Sequence, residues 1–104
     1  MTLYIKRVRS GIDAFAEFNP STKECVVKAG SIVSEKIAHS EKFRGAKSIE
    51  KSRQNTVKDR KVICDVTFKS LSTAANFVTG ASTNGYVAWK NSAGKKAKEL
   101  MEDK

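Results

Sequence analysis

The chain has one proline, one tryptophan, one histidine and two cysteines in 104 residues, and no run of about 18 apolar residues. Each scarcity excludes something. Without a long apolar run no helix spans a bilayer, so no membrane partner is expected. Cys25 and Cys64 are too few for a disulfide scaffold, and with 38 residues between them and the lone His39 they lack the close-spaced ligand pairs of a zinc site. Both thiols are expected to be reduced and buried. Neither His39 nor any other group shows a convergent acid, base or nucleophile, and the Walker and dinucleotide fingerprints are missing. The sequence therefore predicts no catalytic residue, no metal and no cofactor. Met1–Arg7 sets an apolar stretch before its charges, the reverse of a signal peptide, which predicts a cytoplasmic location. Acidic residues are also scarce, 11 against 20 basic, and the net charge of +9 makes polyanions the first partner class to consider.

What is present fits one domain over residues 1–104. Leu3 and Ile5 alternate on one face and Ile12, Ala14, Ala16 and Phe18 on another, so two strands are expected. Asn19-Pro20-Ser21-Thr22 has turn chemistry, and 24–29 reads as a third strand, a β-meander ending at Gly30-Ser31. Ile32, Val33, Ile37 and Ala38 fit a short helix or a bent extended segment equally. A helix is expected over 40–55, capped by Ser40, with Phe43, Ala46 and Ile49 at three-residue spacing. A strand is expected at 62–68 and a helix at 71–79, where Leu71, Ala74, Ala75 and Val78 stand at i, i+3, i+4 and i+7 between a Ser70 or Ser72 cap and Gly80. Asn84-Gly85 signals a turn before a short strand or ordered extended segment, 86–90, and the tail, 95–104, is open to a last helix whose basic-then-acidic order opposes the helix dipole and predicts fraying. The fold class is α+β: a small antiparallel sheet of about four strands and two to three helices, one of them packed on the sheet.

Residues 41–61 carry eight basic and three acidic groups, +5 of the total +9. Lys42, Arg44, Lys47, Lys51 and Arg53 are accordingly candidates for phosphate contacts, although a charge-rich helix is also a common solvated face. Two carboxylates on strands, Asp13 and Asp65, are the only candidates for a magnesium-dependent nuclease, a distant third reading.

The stretch from Phe68 through Ser70, Ser72, Ala74, Ala75 and Gly80, followed by Asn84-Gly85-Tyr86-Val87-Ala88-Trp89-Lys90 and Gly94, resembles the domain of unknown function 4357 family. Gly11-Ile12-Asp13-Ala14 and Val27-Lys28-Ala29-Gly30-Ser31 look like its upstream landmarks, so the likeness covers about 11–94. Leu71 stands where that family has proline, and Tyr86 where it has tryptophan. The signature is also similar to that of the restriction-enzyme adenine-methylase-associated domain. Such domains sit beside restriction-modification methylases or GIY-YIG-type nucleases, so the resemblance implies DNA rather than RNA, with a nuclease or methylase as a protein partner.

The signature residues have a packing reading and a binding reading. Serine caps and alanines pack; alternatively Lys69, Ser70, Ser72 and the amides of the helix start receive a phosphate. Asn84 is a turn former or an amide that meets a nucleotide. Trp89 is a core residue or a plane for an unpaired base, with Tyr86 and Lys90 facing outward together if it is buried. The expected function is a non-catalytic nucleic-acid-binding module. A domain that docks an acidic protein partner through exposed Trp89 or Tyr86 is the alternative.

Overall fold

The computed structural model describes residues 1–37 and 46–102. In chain order its elements are β1 (Thr2–Arg7), β2 (Ile12–Phe18), β3 (Cys25–Val27), α1 (Ala46–Arg53), β4 (Val57–Lys58), β5 (Lys61–Val62), β6 (Val66–Phe68), α2 (Leu71–Thr79), α3 (Gly85–Ala88) and α4 (Ala97–Glu102). Period-two alternation makes the first hairpin, with Leu3 opposite Ala16 and Ile5 opposite Ala14. Asn19 reverses the chain after it, its side-chain oxygen accepting from the Ser21 amide at 2.9 Å. β3 pairs with β2 and β6 with β3, so the main sheet runs β1-β2-β3-β6, antiparallel throughout. This is the α+β arrangement the patterning predicts.

One face of the sheet buries Leu3, Ile5, Ala14, Ala16, Phe18, Cys25, Val27 and Phe68, and α2 lies across β2, β3 and β6. Leu71, Ala74, Ala75 and Val78 are all buried, as the spacing requires. Ser70 caps α2 by accepting from the Thr73 amide at 3.1 Å, and Gly80 ends it at φ +72°, a backbone region that favours glycine. Phe77 reaches from α2 to Phe68, ring centroids 5.0 Å apart, a tilted pair worth about 0.5–1.5 kcal/mol beyond the area it buries.

β3 is short because the chain leaves the sheet at 28–31. The gap is closed by Ser31, fully buried, whose hydroxyl accepts from the Phe15 amide and donates to the Phe15 carbonyl, each at 3.1 Å. Ile32 then rejoins β2 at Asp13, and β5 adds on its far side. The 31–37 segment is thus the bent extended one of the two readings, with bends at Glu35 and Lys36; Ala38 lies outside the described residues.

Four expectations are corrected. The 62–68 run is two strands, since Val62 pairs with Val57 whereas Val66 pairs with Val27. Between them the Asp65 carboxylate accepts from the Lys28 ammonium at 2.7 Å and the Ala29 amide at 2.9 Å. That tie bends the chain and leaves Ile63 and Cys64 exposed, so only Cys25 is a buried thiol, its pKa pushed up to about 12 by burial. Only the end of the 86–90 segment is extended, at Trp89 and Lys90: Gly85–Ala88 is a helical turn, because Asn84 accepts from the Tyr86 amide at 3.0 Å and acts as a cap. Finally, Ala97–Glu102 is a docked helix in which Ala97 is fully buried and Leu100 and Met101 pack on the core. Of the helix expected over 40–55, Ala46–Arg53 is seen with Ala46 and Ile49 buried; the Ser40 cap and Phe43 lie outside the described residues.

Two predictions arise here. The bonds from Lys28 and then from the Ala29 amide hold the Asp65 carboxyl below its ordinary range. A carboxyl depressed on folding contributes stability above its unfolded pKa and loses it as pH falls through the folded pKa. Melting curves across the acidic range should therefore show Asp65→Asn losing less stability on acidification than the parent; parallel curves would reject the tie. The second concerns the β4–β5 hairpin, which the sequence did not reveal. Its two turn residues, Asp59 and Arg60, both have positive φ, +51° and +70°, the mirror-image turn that normally takes Asn-Gly. Asp59→Asn should raise stability by ~0.5 kcal/mol and Asp59→Val lower it by ~1 kcal/mol or more; denaturant titration giving the opposite order would contradict the turn.

Candidate nucleic-acid interface

The signature residues first build one packing joint. Gly85 lies directly on the first turn of α2, where an added Cβ would overlap the Leu71 carbonyl carbon and oxygen. Its amide donates to the Ser72 hydroxyl at 3.2 Å. Trp89, fully buried, donates its indole N–H to the Leu71 carbonyl at 3.0 Å. Its backbone amide bonds to Gly85 and its carbonyl accepts from Ala97, so α2, α3 and α4 meet at this one residue.

That joint corrects part of the expected site. Trp89 offers no exposed ring face to a base. The start of α2 is covered by Gly85, and Ser70, Ser72 and Asn84 each have their side-chain oxygen engaged by a backbone amide. Arg53 is a structural group as well. Its guanidinium donates to Phe77 O at 2.6 and 3.1 Å, to Ser34 O and Oγ at 3.0 Å each, and to Val78 O at 3.3 Å. Burial lowers its pKa to about 10, so it stays charged at neutral pH while facing inward. Lys47, Lys51, Lys69, Tyr86 and Lys90 are exposed, whereas Lys42 and Arg44 lie outside the described residues.

One concave region gathers cations. A cleft of about 830 Å³ opens between the outer edge of β1 and the 81–94 segment. Lys90 is brought there by pairing with β1: the Tyr4 amide donates to its carbonyl at 2.7 Å and its amide donates back to Tyr4 at 3.0 Å. Asn91 tightens the turn that follows, its side-chain oxygen accepting from Ala93 and Lys95 amides at 3.0 and 2.9 Å. Lys6 and Arg7 stand on the same wall, with the Lys6 ammonium 5.4 Å from the centroid of the Tyr4 ring. Among the described residues lining the cleft are three cations and no carboxylate. A second groove, by contrast, holds Glu17 and Glu24. Asn84 and Lys90 are the sequence candidates that meet here; Tyr4, Lys6 and Arg7 were missed. The Lys6-Arg7 pair at a strand end was the available signal, but its nearness to Lys90 depends on a contact between the two ends of the chain.

Among the described residues no group of three or more histidine, cysteine or acidic side chains is placed to hold a metal, and no helix is long and apolar enough to cross a membrane. Comparison with known proteins finds no matching curated protein and no matching solved structure. Residues 3–101 match the profile of a domain of unknown function, DUF4357, a span that takes in both walls of the cleft and the whole joint beneath it. The chain belongs to the DUF4357 family.

Proposed function

We propose that this domain is a non-catalytic nucleic-acid-binding module, DNA being favoured over RNA, whose contacts centre on the cleft between β1 and the 81–94 segment. The observation that carries the reading is the cleft lining: Lys6, Arg7 and Lys90 line one concavity that holds no carboxylate, Asp13 standing opposite Lys6 on β2 outside it, on a backbone frame that the β1–Lys90 pairing holds in place. Three cations in one concavity against a single flanking carboxylate leave a net positive site for polyanions. Exposed Lys47, Lys51 and Lys69 add to the field that attracts one. Restriction-modification or nuclease systems are the setting that the sequence signature suggests, the domain supplying grip and a partner the chemistry.

The protein-docking alternative drew on exposed Trp89 or Tyr86; the Trp89 ring is buried, and Tyr86 is exposed beside Val87. The test is fluorescence anisotropy with labelled single-stranded DNA, duplex DNA and duplex RNA over a salt series. Three cleft cations predict a slope of log affinity against log salt of about −2 to −3, made steeper by any outlying lysine that takes part. Absence of binding to all three near physiological salt would refute the reading.

A further inference from the structure

The cleft lining is not that of a purely electrostatic saddle. Val87 is 40 % exposed within it, and Ala81 and Ala88 are half-buried beside it. Apolar surface therefore shares one concavity with the three cations, and the half-buried Tyr4 is among the lining residues. A duplex presents charged phosphates and sugars along its outer surface and keeps its base faces stacked inside. An unpaired nucleotide presents both an apolar base face and a phosphate at once. A volume of about 830 Å³ falls in the range of clefts that enclose a small organic group rather than a groove that tracks a double helix.

Building on the nucleic-acid reading above, we propose that the cleft takes an unpaired nucleotide of single-stranded DNA, its base against Val87 and the neighbouring alanines and its flanking phosphates at Lys6, Arg7 and Lys90. The amide NH2 of Asn84 remains for the edge of the base, since the oxygen of that side chain caps α3. Tyr4 contributes its ring edge and the lysine stacked on it, so one cation is positioned before any ligand arrives.

The experiment compares a short oligothymidylate with a duplex of equal length, by anisotropy at matched ionic strength, on the parent and on Val87→Lys. The parent should bind the single strand about fivefold more tightly than the duplex, the size of effect that burying one aliphatic contact gives. Val87→Lys exposes the difference between charge and base contact. It adds a cation yet removes the apolar wall, so duplex binding should be kept or increased while the preference for the single strand disappears. Retained duplex binding also shows that the variant is folded, and Val87→Ser, which adds no charge, should lose the preference as well. Equal binding of both forms by the parent, or a preference that survives in both variants, overturns the unpaired-nucleotide assignment and leaves the nucleic-acid reading standing. Failure of the parent to bind either form near physiological salt overturns both.

Discussion

Gly85→Ala should lower the melting temperature by roughly 15–25 °C or prevent folding. The methyl would be aimed at backbone atoms of Leu71, which cannot rotate away as a side chain would. α3 would have to lift from α2, and the Gly85–Ser72 bond, the Trp89–Leu71 bond and the seating of the buried indole would go with it. Overpacking of this kind costs about 1–3 kcal/mol by itself, and each buried polar group left without a partner adds roughly 1–3 kcal/mol more. Differential scanning calorimetry gives the answer; a shift of only a few degrees would mean that α3 is not seated as described. Because α3 and the turn after it form one wall of the cleft, a folded but loosened Gly85→Ala variant should also bind nucleic acid more weakly.

Arg53→Ala should cost about 3 kcal/mol, well above the fraction of a kcal/mol usual for a surface arginine. The guanidinium satisfies the Phe77 and Val78 carbonyls at the C-terminal end of α2, where a cation is also favoured by the helix dipole, and ties them to Ser34. Its removal strands the Phe77 carbonyl, while Val78 keeps its bond from the Ser34 amide at 2.8 Å, and loosens α1, α2 and the 31–37 segment together. Arg53→Lys should recover less than half, since one ammonium cannot span oxygens that a planar fork reaches from three nitrogens. Chemical denaturation measures both, and a loss below 1 kcal/mol for Arg53→Ala would contradict this role. In a binding assay, therefore, weakened affinity of an Arg53 variant would report on the fold rather than on a phosphate contact.

The meander, α2 and its two caps were legible because each is local: alternation in Ile12–Phe18, the i, i+3, i+4, i+7 set in α2, and Ser70 and Gly80 at its ends. The split of 62–68 was not, because what bends that run is a bond from Asp65 to Lys28 and Ala29, residues far away in sequence. The β4–β5 hairpin lacked its usual glycine, with Arg60 occupying the second turn position and reaching back to the Val33 and Ser10 carbonyls. Charge counting found the basic 41–61 segment but could not tell an inward guanidinium from an outward ammonium, so Arg53 and Lys51 looked alike. The cleft was hidden for the same reason as the bend: Lys6 and Lys90 become neighbours only when the edge of β1 receives the segment after α3.

The most direct measurement sets two multiple variants side by side in one salt series. Lys6→Ala with Arg7→Ala and Lys90→Ala removes the cleft cations; Lys47→Ala with Lys51→Ala removes the exposed cations of α1. None of these side chains is buried, so the melting curves of both variants should stay near that of the parent. The cleft variant should lose at least tenfold in affinity near physiological salt and about 2 from the magnitude of the salt slope, while the α1 variant changes each by much less. Full binding by the cleft variant, with the loss falling on the α1 variant instead, would contradict the cleft as the site.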